Sequence, residues 1–450
     1  MQKELLELTI EDLAIDGKAV AHLNGKVVFL DTGLPGETVL AEITRSRPRY
    51  FQAVVREITS RSSSRVETAC SHFEICGGCS WQDLDYDAQL ELKRRHVVEC
   101  LARIGGFENP AVAPVLPSEN TFRYRNKMEF SFHVLEDGGF HLGLHQRGRF
   151  DDIFDLDACY LQSEIANRIV HHVRAFVTEY QVPVYNVRDH TGFMRFLVIR
   201  ETTITRQIMV NLVTSMGSFP SVDLLVAGLV EEFPEITTII HGQNGKKANI
   251  AVAEVETLLY GPGFIEEELL GHRFKIKANS FFQTNSIQAE KLYETAFSLL
   301  QAKPDDRILD LYCGTGSIGL SLASDVKEVV GVELVPDAVQ MAVENAVANG
   351  IDNISFFEGH VKEFLRQLQP EDNRFDAIIV DPPRAGLHPK ALKRVLALDV
   401  PRILYISCNP ATFARDAKSM SEAGYKISEV HPVDMFPHTR HIELAALFSR

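Results

Sequence analysis

From about residue 274 to its end the chain repeats one phrase, and no other feature limits its fold so strongly. A short, almost wholly apolar run ends in a small or polar turn, and a helical stretch follows. RILDLYCGTGSIGLSLA, VKEVVGVEL, FDAIIVDPPRAGL and PRILYISCNP are four such units, spaced by stretches such as PDAVQMAVENAVANG. A strand that is apolar on both faces needs cover on both faces, which crossover helices supply to a parallel sheet. The sequence therefore predicts a doubly wound α/β unit over 274–450, with ligands taken at the carboxyl ends of its strands.

Several of those strand ends carry chemistry. DLYCGTGSIGL (310–320) follows a strand and opens a helix, and Gly314, Gly316 and Gly319 fit G-x-G-x-x-G. A dinucleotide fold shares that pattern. Glu333 closes the next strand, 23 residues after Asp310, where it can accept ribose hydroxyls. NAD and S-adenosylmethionine would both use that acid. Asp381-Pro382-Pro383 then sets a carboxylate and a stiff turn beside the pocket, as in methyltransferases that act on planar bases. Cys408 ends the run RILYIS (402–407), and Asn409-Pro410 stop it at once. A cysteine there is either a small packed residue or a thiolate presented to a ligand.

Earlier in the chain the texture differs. Residues 1 to about 58 alternate apolar and polar in short runs punctuated by Gly and Pro, the rhythm of a small β-barrel. Between Arg45 and Arg65 six arginines face one acid, Glu57, with Tyr50 and Phe51 among them. That mixture suits single-stranded nucleic acid, or else a solubilising strand face. TSRSSSR (59–65) reads as a flexible connector. CSHFEICGGC then sets Cys70, Cys76 and Cys79 within ten residues, with Cys159 a candidate fourth thiol from afar. Four thiolates suit zinc or an iron–sulfur cluster, and the C-x2-C spacing leans to zinc. Trp81 reads as core beside this group. A helix is expected over 87–106, and YRNKMEFSFHV, FMRFLVIRE and RQIMVNLVT alternate as antiparallel strands.

The totals set outer limits. A chain of 450 residues suggests two or three domains. With 46 basic against 61 acidic residues the net charge is −15, which excludes a wholly basic nucleic-acid coat but not local patches. No apolar run approaches the ~18 residues of a membrane span. The start, MQKELLELTIEDL, has no apolar signal core, so the cytoplasm is expected. Seven cysteines in such a chain point to metal binding or chemistry before disulfides.

The set SFFQTN (280–285), DLYCGTGSIG, GVEL, DPPRAGL, YISCNPATFARD and FPHTRHIE resembles, in content and order, the RNA 5-methyluridine (uracil-5) methyltransferases. Within that family it is similar to the bacterial 23S rRNA branch, which carries an N-terminal TRAM barrel and a 4Fe–4S cluster. The resemblance implies a multidomain α/β protein. Residues 1–59 would be an OB-like TRAM β-barrel that binds RNA. Residues 60–273 would be a central α+β iron–sulfur and RNA-binding domain. Residues 274–450 would be a Rossmann-like S-adenosylmethionine-dependent methyltransferase domain. It further implies Cys408 as nucleophile and Glu443 as base. Gln283, Tyr312, Glu333 and Asp381 would hold S-adenosylmethionine. Cys70, Cys76, Cys79 and Cys159 would hold the cluster, in place of the zinc that spacing favours. Without the family, Gln283 would read as a helix cap and Glu443 as a surface acid at the lip of the last hairpin. Ser317 stands where some members have asparagine, and no role is carried to it. RNA cytosine-5 methyltransferases have a second cysteine where this chain has DPPR, which favours uracil.

The implied chemistry is covalent. A thiolate adds to uracil carbon 6, carbon 5 attacks the methyl group, and a base removes the carbon 5 proton to free the cysteine. The expected substrate is 23S rRNA, with the same chemistry on tRNA as the alternative, and the expected state is a monomer away from membranes. A non-catalytic RNA-binding assembly factor would be expected to lose Cys408, Glu443, Asp381 and Gln283, all of which are present. A small-molecule methyltransferase would not need the arginine-rich barrel.

Overall fold

The computed structural model describes residues 5–149, 151–368 and 374–450. The first four residues of the unit expected over 1–59 lie outside them. β1 (Leu5–Thr9), β2 (Asp12–Leu13), β3 (Ala19–Leu23), β4 (Lys26–Leu30), β5 (Thr38–Ser46) and β6 (Tyr50–Ser60) make one sheet, in the order β1-β5-β6-β4-β3-β2. Alternation turns Val28, Leu30, Val39, Ala41 and Ala53 inward, and Trp81, Leu84 and Leu92 complete that core from beyond residue 59. Trp81 is thus a core residue, of this sheet. The reading of 59–65 as a flexible connector is corrected. β6 runs to Ser60, and Arg65 is held by the fully buried Glu37 at 2.6 Å and by Asp83 at 2.7 Å. A Ser/Arg composition looks solvated until its charges find partners.

α1 (Tyr86–Cys100) starts from Asp85, whose side chain accepts the N–H groups of Asp87 and Ala88, and continues as a π-turn over Leu101–Gly105. Its residues Val97, Cys100 and Leu101 pack with Leu309, Leu311 and Phe413 of the C-terminal core. β7 (Lys127–Val134), β8 (Phe140–His145), β9 (Ile153–Asp155), β10 (Met194–Glu201), β11 (Ile208–Thr214), β12 (Ile236–Gln243) and β13 (Val255–Tyr260) form the second sheet, ordered β13-β12-β11-β10-β7-β8-β9. β10 is antiparallel to β7 and to β11, as the alternation predicts. β12 joins β11 in parallel. α2 (Glu164–Glu179) and α3 (Val222–Glu232) supply Val170, Val173, Leu225 and Leu229 to the core of this sheet.

The hairpin β14 (Ile265–Leu269) and β15 (His272–Ile276) leads to α4 (Ser286–Leu300). The third sheet follows, with β16 (Arg307–Leu311), α5 (Ser317–Leu322), β17 (Glu328–Glu333), α6 (Pro336–Ala348), β18 (Ile354–Glu358), α7 (Val361–Gln367) and β19 (Ala377–Val380). α8 (Pro389–Ala397), β20 (Arg402–Ser407), α9 (Pro410–Glu422), β21 (Lys426–Ile427), β22 (His431–Val433) and β23 (Glu443–Ser449) complete it. The order is β18-β17-β16-β19-β20-β23-β21, with β22 on β23. β16 to β20 are parallel, and β23 runs antiparallel beside β20. Alternate residues serve two layers: Leu309, Val380, Ile403 and Tyr405 face the layer with α9. Ile308, Ile379, Leu404 and Ile406 face the layer with α4 and α5. That division is why these strands read as unbroken apolar runs.

Candidate active site

One cleft of 2150 Å³ opens along the carboxyl edge of the third sheet, toward the second. It is lined by Gln283, Tyr312, Glu333, Asp381, Cys408 and Glu443 together. The strand directions bring them there. Tyr312, Glu333, Asp381 and Cys408 lie at the ends of β16, β17, β19 and β20. Glu443 begins β23, which runs the opposite way, so its first residue shares the edge where β20 ends. In the register Ser407 pairs with Leu444, the last pair of the two strands, and Cys408 and Glu443 follow it into the cleft, near enough that the Glu443 carboxyl raises the Cys408 thiol. The sharp turn after Cys408 is a helix start: Asn409 accepts the Ala411 N–H at 3.0 Å, and Pro410 occupies the first turn of α9. Asn409 Nδ2 also donates to the Arg384 carbonyl at 3.0 Å, tying the Cys408 turn to the DPPR loop.

The glycine loop is built as its sequence requires. Tyr312, Gly314 and Gly316 all have left-handed φ, of 67°, 56° and 84°. Glu333 steadies the loop by accepting the Gly314 N–H at 3.1 Å and those of Leu334 and Val335 at 2.7 and 2.9 Å. Gly319 leaves room for Asp310, whose Oδ2 would stand 2.9 Å from a Cβ there. The cap of α4 is Asn285, which accepts the Gln288 N–H at 3.3 Å, so Gln283 is not the cap. The Gln283 carbonyl instead accepts Asn126 Nδ2 at 3.0 Å, and Gln283 lines the cleft.

Carboxyls gather at the edge, with Arg384 as a basic neighbour. Burial raises Asp381 to about 7, and burial with the nearby Asp381 raises Asp310 to about 7. Neither oxygen of Asp310 has a well-formed hydrogen-bond partner. Burial, then Asp381, holds the Glu443 carboxyl well above its ordinary range, against the pull of Arg384. Burial, then Glu443 and Asp381, pushes the Cys408 thiol up to about 11, with Arg384 again opposing. These shifts make the neutral forms easier to reach, and a ligand with a positive centre would favour ionising the carboxyls.

Cys76, Cys79 and Cys159 share one hydrophobic cluster of the second sheet, where Cys76 and Cys159 are buried and Cys79 half-buried. Burial raises Cys79 to about 12, and the thiols of Cys159, Cys76 and Cys70 each add to the rise. Burial likewise raises Cys159 to about 11, with Cys76 and Cys70 contributing. The four thiols are therefore neighbours. Among the described residues no group of three or more His, Cys, Asp or Glu side chains converges tightly enough to hold a single metal ion. The donor set is all sulfur and comes from two chain segments.

Some residues at the cleft carry no signal of their own in the sequence. Phe281 is 69% exposed on the cleft wall, one residue from buried Phe282. Buried Arg200 donates to the carbonyls of Ala278 and Ser280 and so holds the loop bearing Phe281 and Gln283. His441 lines the cleft with its pKa lowered to about 4 by burial and by Arg384 and Arg440. The SFFQ spacing marks a strand-to-helix loop, but not which of its aromatics stays outside. In the N-terminal sheet Arg45, Arg47 and Arg49 are exposed at the β5–β6 tip, whereas Arg56 pairs with Glu42 at 2.6 Å. Phe51 lies partly in the core under Lys26.

The family model described as tRNA (Uracil-5-)-methyltransferase matches residues 85–450, and that of the TRAM domain matches residues 1–55. A protein of Chlorobaculum tepidum described as an uncharacterized RNA methyltransferase is 39% identical over 466 residues, covering 99% of this chain and 96% of its own. One of Porphyromonas gingivalis, described in the same words, is 38% identical over 98% of this chain and 99% of its own. Among solved structures, the Pyrococcus abyssi tRNA (uracil-54, C5)-methyltransferase in complex with S-adenosyl-L-homocysteine superposes with a TM-score of 0.78 at 31% identity. That match covers 98% of this chain and 100% of the other.

Proposed function

The chain belongs to the tRNA (uracil-5-)-methyltransferase family and is an RNA methyltransferase; from that premise we propose that it methylates carbon 5 of a uracil through a covalent adduct on Cys408. The observation that carries the proposal is the juxtaposition of Cys408 and Glu443 across two strands, at the edge that also bears the glycine loop. S-adenosylmethionine, when bound, supplies the methyl group and a positive sulfonium beside carboxyls that its charge favours ionising. Gln283, Tyr312, Glu333 and Asp381 hold it. Cys408, once deprotonated, gives its electron pair to carbon 6, and the ring electrons move toward oxygen 4. Carbon 5 takes the methyl group with that pair, and the sulfur–methyl bond would break with its electrons left on sulfur, releasing S-adenosylhomocysteine. Glu443 then removes the carbon 5 proton, the double bond re-forms, and the carbon–sulfur bond breaks with its pair returning to Cys408.

The proposed units are 1–59 as an RNA-binding TRAM barrel, 60–273 as a central iron–sulfur domain and 274–450 as the methyltransferase domain, with α1 docked on the last. Cys70, Cys76, Cys79 and Cys159 would hold a 4Fe–4S cluster as an architectural element. Their all-sulfur donor set and mutual proximity support this. The resemblance to the 23S rRNA branch implies 23S rRNA as substrate, although its motifs do not themselves separate it from tRNA. The relative from Pyrococcus abyssi favours tRNA, because its own described substrate is tRNA uracil-54. Anaerobically purified enzyme given methyl-labelled S-adenosylmethionine and, separately, unmodified 23S rRNA or tRNA decides between them. Label is expected in 5-methyluridine, and Cys408→Ala is expected to abolish it while still binding RNA. Full activity in Cys408→Ala, or label in 5-methylcytidine, overturns the mechanism.

A further inference from the structure

The segment Asp434–Glu443 carries the proposed base, yet it has no helix or strand before Glu443 itself. One face of α1 holds it from outside. Tyr86, Gln89 and Lys93 recur on that face at helical spacing. Tyr86 Oη donates to Asp434 Oδ2 at 2.9 Å. Lys93 Nζ donates to Asp434 Oδ1 at 2.6 Å and to the Phe436 carbonyl at 3.0 Å. Gln89 Oε1 accepts the His438 N–H at 2.9 Å. The cysteine loop closes the other side, where the N–H groups of Ser80 and Trp81 donate to the His438 carbonyl at 2.8 and 3.0 Å. His438 sits at φ 64°, a left-handed conformation that persists only where its surroundings impose it.

Lys93 and Asp434 have no side-chain exposure at all. A buried ion pair of this kind is a poor source of stability, since desolvation offsets most of its attraction. It fixes geometry, and the geometry it fixes is the path of the chain to Glu443. We infer that Lys93 and Asp434, with Tyr86 and Gln89, are positioning residues for Glu443 and act on the proton-removal step in particular. The inference rests on the assignment of Glu443 as base.

The step has its own signature. If proton removal slows while addition and methyl transfer proceed, enzyme accumulates as a methylated covalent adduct with RNA, visible as a labelled band on a denaturing gel. Lys93→Met/Asp434→Asn removes both charges and leaves no unpaired ion in the core, and Tyr86→Phe removes the hydrogen bond to Asp434 together with the one Tyr86 Oη accepts from the Ser118 N–H at 2.8 Å. Turnover per S-adenosylhomocysteine-binding protein is expected to fall about 10- to 100-fold in the double variant, as for small misplacements of a catalytic group. The methylated adduct is expected to rise toward the level in Glu443→Gln, with S-adenosylhomocysteine affinity nearly unchanged and Tyr86→Phe intermediate. Wild-type turnover per binding-competent enzyme, or slowed turnover without adduct, overturns the inference. If Glu443→Gln itself accumulates no methylated adduct, the base assignment falls and the inference with it.

Discussion

In the proposed mechanism Cys408 has to become a thiolate, and its surroundings resist that. Burial and the carboxyls of Glu443 and Asp381 push it up to about 11, while Arg384 pulls it down. At pH 7 a thiol with that pKa is ionised in only about one molecule in 10⁴. Because the shift is upward, reactivity must climb with pH through the whole neutral range. Alkylation of Cys408 by iodoacetamide in the free enzyme, read by peptide mass spectrometry, should rise about tenfold per pH unit from 7 to about 10. An ordinary cysteine would level off near its usual pKa of about 8.5. Arg384→Gln should slow alkylation further at every pH below the plateau. A plateau near pH 8 in the wild type would show that the thiol does not feel these carboxyls. Cys408 could be singled out from its strand and turn, but its raised pKa could not. That shift comes from burial first and then from Glu443, 35 positions along the chain, which the antiparallel pairing of β20 and β23 brings near.

The glycine loop shows which parts of an element sequence can specify. Strand, turn and helix were readable over 307–322 because the buried strand is short and apolar and the glycines meet left-handed backbone. What each glycine is for depends on its neighbours. A Cβ on Gly316 would stand 3.0 Å from Leu320, 3.1 Å from Phe356 and 3.2 Å from Ala342, whereas one on Gly314 would meet nothing within 4 Å and would enter the cleft. Gly316→Ala therefore adds overpacking of about 1–3 kcal/mol to the left-handed cost and should lower the melting temperature clearly. Gly314→Ala carries only the conformational cost, so melting should change less while calorimetric affinity for S-adenosylhomocysteine falls more. Equal effects of the two on melting would contradict this packing. α1 marks the opposite limit. Its helical pattern is plain in sequence, but ELKRRH looks like a solvated face, and nothing local indicates that Lys93 is fully buried against Asp434, 341 residues on. The Arg65 contact to Glu37 escaped the reading of 59–65 for the same reason.

At the scale of the whole molecule, the N-terminal sheet is fastened to the catalytic end of the third. His96 Nε2 lies 2.8 Å from the Leu13 carbonyl, Arg95 pairs with Asp12, and Arg440 reaches the Asp16 carbonyl from the segment that leads to Glu443. Deleting 1–59 would strip Trp81, Leu84 and Leu92 of their cover and loosen α1, so truncation would confound RNA binding with folding. The β5–β6 tip avoids that difficulty, because Arg45, Arg47 and Arg49 are exposed and stand away from the core. The protein is net acidic at −15, so attraction to RNA has to be local, and this tip and the basic cleft wall of Arg125, Lys127 and Arg384 are where it can act. Each phosphate contact contributes about 0.7 to the slope of log affinity against log salt for single strands. Changing Arg45, Arg47 and Arg49 together to Glu should weaken RNA binding and flatten that slope by about 2, by the same relation. Melting temperature and S-adenosylhomocysteine affinity should hold, since none of the three touches the core or the cofactor loop. An unchanged salt slope would mean that RNA enters the cleft without crossing the barrel tip, and that the arginines there serve only as a solvated strand end.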